Sequence, residues 1–74
     1  MKEFIENFAA QFEETPSSAF HSDTKFRNLD EWSSLTALSV IAMVDEAYAV
    51  KIKGEDIRAA NTIGELFEIV KSRM

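Results

Sequence analysis

Apolar residues recur at the three- to four-residue spacing of an amphipathic helix along most of this chain, and few residues interrupt that spacing. Among 74 residues there are one proline and two glycines, the residues that most strongly end helices. Strand signals are weak, because β-branched residues rarely alternate with polar ones. The sequence therefore predicts an all-α fold, and its length predicts a single domain covering residues 1–74.

The spacing predicts a small four-helix bundle of three main helices and one short helix, with a long first loop. The predicted helices cover about residues 2–13, 34–49, 54–60 and 62–73. Phe4, Phe8 and Phe12 place one apolar stripe on the first helix. Pro16 should end that helix near residue 14. The letters "TIGE" at residues 62–65 match a capping box and predict the start of the last helix.

Residues 15–33 form the predicted first loop, which is the least regular part of the sequence. A loop of this length in a compact domain needs side chains that fasten it to the core, or a function. Phe20, Phe26 and Leu29 are the expected anchors. Disorder is not expected, because disordered segments lack such apolar anchors.

Composition excludes several functional classes. There is no cysteine and only one histidine, so disulfides and the usual zinc clusters are excluded. The net charge of −5 argues against nucleic acid and against anionic membrane surfaces. No stretch reaches the length of a membrane span, and the N-terminus lacks the apolar core of a signal peptide. We expect a cytoplasmic monomer that does not insert into membranes.

An enzyme is not expected, because no set of nucleophile, base and orienting residue is visible. The single His21 lies in the predicted loop among turn-forming residues. The adjacent pairs Asp30–Glu31 and Asp45–Glu46 are interpreted as solvated charges, since neighbouring side chains on a helix do not face each other.

Two adjacent serines precede the second helix in the stretch "EWSSLT". Ser33 is well placed as the N-cap, which accepts a hydrogen bond from the first turn. Ser34 then falls at the first helical position, where its hydroxyl should be exposed and where free N–H groups and the helix dipole tolerate a phosphate. The alternative is simpler: both serines are interchangeable capping candidates.

The second helix has two apolar faces when wound at about 100° per residue. Ala37, Val40, Ile41, Val44 and Tyr48 form the predicted core face. Leu35, Leu38 and Ala42 share the other face with polar and acidic residues that include Asp45 and Glu46. Either the bundle buries both faces, or Leu35 and Leu38 stay exposed as a docking patch.

Over nearly its whole length the chain resembles the acyl carrier protein family. The resemblance rests on Ser33-Ser34-Leu35, which matches the family's Asp-Ser-Leu, and on the stretches "LTALSVIAMVDEAYAVKIKGEDI" and "NTIGELFEIV". It implies that Ser34 receives 4′-phosphopantetheine from coenzyme A through a phosphopantetheinyl transferase. The arm would carry acyl groups as thioesters for acyl-transferring and acyl-processing enzymes, in fatty acid or related lipid or secondary-metabolite biosynthesis.

The resemblance also assigns further residues. Trp32, Ser33 and Leu35 would flank the attachment site, although Trp32 is interpreted first as an anchor of the loop. Leu35, Leu38, Ala42, Asp45 and Glu46 would dock on partner enzymes. The positions that would line a space for the acyl chain are Ala42, Val44, Tyr48, Ile52, Ile57 and Ile63, and ordinary core packing would explain the same residues.

This chain departs from the family's pattern around the attachment site. Ser33 replaces the usual aspartate, Asp30 and Glu31 replace a common Leu-Gly, and the second helix has fewer acids than usual. Electrostatic steering toward basic partners should be weaker along that helix and shifted toward Asp30 and Glu31. The alternative function is a non-covalent helical interaction module that docks through the Leu35/Leu38 face and needs no modification.

Overall fold

The computed structural model describes all 74 residues and contains four α-helices and no β-strand, which confirms the all-α prediction. The helices are α1 (Lys2–Ala9), α2 (Ser34–Tyr48), α3 (Gly54–Ala59) and α4 (Ile63–Ser72). Residues 10–33, here called the linker, join α1 to α2 and contain only two single turns of 3₁₀ helix, at Ser17–Ala19 and Phe26–Asn28. None of the four helices has the length and apolar character that a membrane crossing requires.

Fifteen apolar side chains form one buried core, and aromatic rings supply the part of it that holds the linker. The aromatic cluster consists of Phe8 from α1 and of Phe12, Phe20, Phe26 and Trp32 from the linker. Ring centroids lie 5.5 Å apart for Phe8 and Phe26 and 4.9 Å apart for Phe12 and Phe20, within the range of favourable aromatic pairs. The predicted anchors Phe20 and Phe26 are therefore confirmed, and Leu29 is half-buried beside them.

The first helix ends earlier than predicted, at Ala9 instead of near residue 13. The N–H groups of Gln11 and Phe12 bond to carbonyls only three residues back, at 3.1 and 3.0 Å, so the helix tightens into a 3₁₀-like turn. This turn keeps Phe12 on the same side as Phe8 and leaves it buried. The backbone N–H groups of residues 13–15 donate to the Glu31 carboxylate, so they cannot continue the helix.

The start of α4 is capped from two directions. Thr62 accepts a hydrogen bond from the Glu65 N–H at 3.1 Å, as the capping box predicts, and the Glu65 carboxylate reaches back to the Asn61 N–H at 2.7 Å. The linker satisfies two more N–H groups of the first turn: the carbonyls of Thr24 and Ser22 accept from Ile63 and Gly64 at 3.1 and 2.8 Å.

Arg27 attaches the linker to the C-terminal end of α3, just before α4 begins. Its Nη1 donates to the carbonyls of Ile57 and Ala60 at 2.7 and 2.5 Å, and its Nη2 donates to the Asn61 side chain at 2.8 Å. These carbonyls lie at the C-terminal end of α3, where a positive charge also interacts favourably with the helix dipole. The linker is thus bound to the end of α3 and to the beginning of α4.

The close approach of the linker to α4 requires glycine at position 64. A Cβ atom added there would lie 2.9 Å from the Ser22 carbonyl oxygen, which is backbone and cannot rotate away. Gly64→Ala should therefore lower the free energy of unfolding by about 1–3 kcal/mol, the usual cost of overpacking. Urea unfolding measures this change.

Gly54→Ala is the matched control, because a Cβ atom at that position would meet only the flexible tip of Arg58, at 3.4 Å. It should be neutral or stabilising, since alanine has the higher helix propensity. Equal destabilisation by both substitutions would contradict the packing assigned to Ser22 and Gly64.

Candidate functional site

Ser33 caps α2, as predicted. Its backbone is extended, and its Oγ accepts a hydrogen bond from the Thr36 N–H at 3.3 Å. The Ser33 and Thr36 hydroxyl oxygens are also 3.2 Å apart, and the Thr36 hydroxyl donates to the Glu31 carbonyl at 3.0 Å. The Ser33 side chain therefore serves as the N-cap of α2.

Ser34 is the first residue of α2, and its exposed hydroxyl makes no hydrogen bond within the chain. The backbone N–H groups of Ser34 and Leu35 also have no partner in the chain, as expected for the first turn of a helix. The two serines are therefore not interchangeable: Ser33 accepts from the helix backbone, and Ser34 presents a free hydroxyl beside free N–H groups.

The Glu31 carboxylate binds the chain where it leaves the turn after α1. It accepts hydrogen bonds from the backbone N–H groups of Glu13, Glu14 and Thr15, the shortest of them 2.7 Å, and from the Thr15 hydroxyl at 2.7 Å. Glu31 is therefore more than the solvated charge expected from the sequence, because its carboxylate also binds the backbone of residues 13–15. Its neighbour Asp30 is exposed and makes no hydrogen bond or ion pair, so it alone fits that expectation.

These hydrogen bonds favour the charged form of Glu31. The Thr15 hydroxyl and the Glu13 N–H contribute most, and together with the remaining donors they lower the pKa of Glu31 to about 2. Because the Thr36 hydroxyl bonds to the Glu31 carbonyl, the same residue contacts both the end of the α1 turn and the start of α2. Glu31 therefore joins the segment just before Ser34 to the turn that follows the first helix.

Trp32 lies between Glu31 and the two serines and anchors the end of the linker. Its indole stacks on Phe8 with a 3° interplanar angle and meets Phe26 at a centroid distance of 4.9 Å. The side chain is half-buried. The interpretation of Trp32 as a loop anchor is confirmed, and its role as a flank of Ser34 stays a prediction.

The second apolar face of α2 is exposed. Leu35 and Leu38 have exposed fractions of 74% and 62%, and Ala42 is also exposed. The alternative in which the bundle buries both faces is therefore wrong. Val40, Met43 and Val44 pack into the core on the opposite side, while Ala37, Ile41 and Tyr48 of the predicted core face are only partly buried.

The two acids at the far end of α2 differ in their surroundings. Asp45 is exposed and forms an ion pair with Lys51, with an Nζ–Oδ2 distance of 3.5 Å. Glu46 is exposed and forms no ion pair. This ion pair could not be predicted from the sequence, because Lys51 lies beyond the end of α2 and is not at a helical spacing from Asp45.

The residues expected to line a space for an acyl chain do not share one environment. Val44, Ile52, Ile57 and Ile63 are all buried in the single core, whereas Ala42 is exposed and Tyr48 is half-buried. An open groove of about 300 Å³ runs between α2 and the segment before α3, lined by Leu38, Ile41, Ala42, Asp45, Lys51 and Ile52. Leu38 and Ala42 thus border a groove that reaches the edge of the core at Ile52.

The comparisons with known proteins identify no relative. The chain matches none of the protein-family models, curated proteins or solved structures with which it was compared. Any function must therefore be argued from the sequence and from the geometry of this site.

The Glu31 contacts predict a specific pH dependence of stability. The pKa of an unfolded glutamate is near 4.5 and that of folded Glu31 is about 2, so the carboxylate stabilises the fold fully above about pH 4.5 and loses this effect as pH falls toward 2. Glu31→Gln should be less stable than the natural chain at pH 6, and the difference should vanish near pH 2. Urea unfolding at several pH values, followed by Trp32 fluorescence, measures it.

Asp30→Asn is the control for this experiment, because it removes a neighbouring carboxylate that makes no hydrogen bond. It should not reproduce the pH-dependent difference. A stability difference for Glu31→Gln that stayed constant from pH 6 to pH 2 would contradict the role of the charged carboxylate.

Proposed function

We propose that this chain is an acyl carrier protein that bears 4′-phosphopantetheine on Ser34. The observation that carries the proposal is the division of roles between the two serines: Ser33 caps α2, and Ser34 presents an exposed hydroxyl with no structural contact. The resemblance in the order and spacing of motifs assigns that hydroxyl as the attachment point.

The surroundings of Ser34 fit a phosphodiester. The free N–H groups of Ser34 and Leu35 lie at the positive end of the α2 dipole, where negative charge is favourable. Ser33 is neutral, so it adds no like-charge repulsion. The nearest carboxylate in sequence, Glu31, is held by the backbone N–H groups of residues 13–15.

Attachment would join the Ser34 oxygen to the phosphorus atom of coenzyme A that is bonded to the pantetheine oxygen. The phosphoanhydride bond would break, the adenosine 3′,5′-bisphosphate would leave, and a base of the transferase would take the hydroxyl proton. The arm supplies a terminal thiol that holds acyl groups as thioesters, which the chain's own side chains cannot do because it has no cysteine.

The exposed face of α2 supports the presentation of such cargo to other proteins. Leu35 follows Ser34 directly, and Leu38 lies one turn further along the same helix. Both leucines are exposed, and apolar side chains exposed together commonly mark a contact surface. We therefore propose that acyl-transferring and acyl-processing enzymes bind here, in fatty acid or related lipid or secondary-metabolite biosynthesis.

Incubation with coenzyme A and a broad-specificity phosphopantetheinyl transferase tests the proposal. The intact mass should rise by about 340 Da, the mass of the phosphopantetheinyl group. Ser34→Ala should show no increase. Ser33→Ala is the matched control: it should lose about 1 kcal/mol of stability through its missing cap and still be modified.

A chain that stays unmodified, or a Ser34→Ala variant that is modified equally well, would contradict the assignment. The exposure of Leu35 and Leu38 would then favour the second candidate, a non-covalent interaction module. That function predicts partner binding that survives Ser34→Ala and is lost when the two leucines are replaced.

A further inference from the structure

A second open groove, with a volume of about 400 Å³, lies between α1 and α2 and has its own chemistry. It shares only Ala42 with the groove that reaches Ile52. Its volume falls within the range of small-molecule sites, which begins near 300 Å³. The lining residues that matter for its chemistry are Asn7, Gln11, Met43, Glu46 and Ala47, and no lysine, arginine or histidine lines it.

Two half-buried amides in this groove use an N–H group within the chain and leave their oxygens free. Gln11 Nε2 donates to the Asn7 carbonyl at 3.1 Å, and Asn7 Nδ2 donates to the Tyr48 hydroxyl at 3.3 Å. These bonds orient both amides. The Asn7 Oδ1 and the Gln11 Oε1 accept no hydrogen bond from the chain, so two oriented acceptors line the groove without donors.

Glu46 adds a carboxylate that the fold itself does not use. It lies in the last turn of α2, where a negative charge interacts unfavourably with the helix dipole. The adjacent Asp45 is compensated there by Lys51, whereas Glu46 is exposed and forms no ion pair. The local structure therefore gives no reason for a carboxylate at this position.

These groups together complement a primary ammonium group on an aliphatic stem. Such a group carries three N–H donors and no acceptor, and the groove offers the two amide oxygens and the Glu46 carboxylate. The stem would contact Met43, whose thioether adapts to varied apolar shapes, and Ala47. An anion would meet the Glu46 charge and no cation, and a purely apolar ligand would leave the acceptors unpaired.

We propose that the groove between α1 and α2 binds a small aliphatic amine through its primary ammonium group. The ammonium is held by Asn7, Gln11 and Glu46, and its stem lies against Met43 and Ala47. This binding does not involve Ser34 and is independent of the proposed function, so each can fail without the other.

An NMR titration of the full, unmodified chain with n-butylammonium chloride at constant ionic strength tests the proposal. The side-chain amide signals of Asn7 and Gln11 should shift in a saturable way, together with backbone signals of residues 42–47. n-Butyltrimethylammonium has the same charge and stem but no N–H donor, so it should bind at least about 5-fold more weakly.

Two variants locate the site. Glu46→Gln should weaken n-butylammonium binding about 3- to 5-fold, the effect of one ion pair at an exposed position. Ala47→Leu should abolish binding because the larger side chain fills the groove. Both positions are exposed on α2 and both new residues are good helix formers, so the urea midpoint should be retained. Glu3→Gln, which removes an exposed carboxylate of α1 outside the groove, should leave binding unchanged.

Four results would overturn the proposal. Equal binding of n-butyltrimethylammonium, or an equal loss from Glu3→Gln, would show only a general attraction of cations to an acidic chain. Amide signals of Asn7 and Gln11 that do not move would refute the site. Tighter binding of Nα-acetyl-lysine amide than of n-butylammonium would assign the groove to a lysine of another protein instead of a small amine.

Discussion

Packing between the aromatic rings of α1 and the linker is the constraint on which the rest of this structure depends. Only fifteen side chains are buried, and residues 10–33 contain no α-helix. Phe12, Phe20, Phe26 and Trp32 each place a ring against Phe8 or its neighbours, so an irregular segment acquires a defined path without regular hydrogen bonding. That path ends at Trp32, directly before the cap of α2, and therefore determines where the Ser34 hydroxyl lies.

Polar contacts then fasten the linker where the rings do not reach. Glu31 accepts from the backbone N–H groups of residues 13–15, Arg27 binds the end of α3, and the backbone at Ser22 and Thr24 binds the first turn of α4. Each contact satisfies a backbone group that regular structure would otherwise satisfy, which is the general requirement for an irregular segment in a compact protein. The beginning of α2 is thus supported by both apolar and polar contacts, while its outer face remains free.

Much of this structure could be predicted because it follows from local spacing. The helices, the Ser33 cap, the Thr62–Glu65 cap and the anchors Phe20 and Phe26 are all encoded within a few residues. The early end of α1 and the role of Glu31 could not be predicted, because they depend on a carboxylate that meets backbone groups about 17 positions away once the chain has folded. The sequence could not decide whether Leu35 and Leu38 are exposed, for a related reason. The spacing of apolar residues defines a helix face, but only the packed structure shows whether another element covers it.

We propose that the Ser34 hydroxyl, which makes no contact within the chain, is the attachment point for a carrier arm. The most direct test is the intact mass of the protein purified from its own cells, with tandem mass spectrometry to locate any added group. We expect an increase of at least about 340 Da located on Ser34, and a larger increase where an acyl group is still attached. An unmodified chain, or a group located on any other residue, would contradict it.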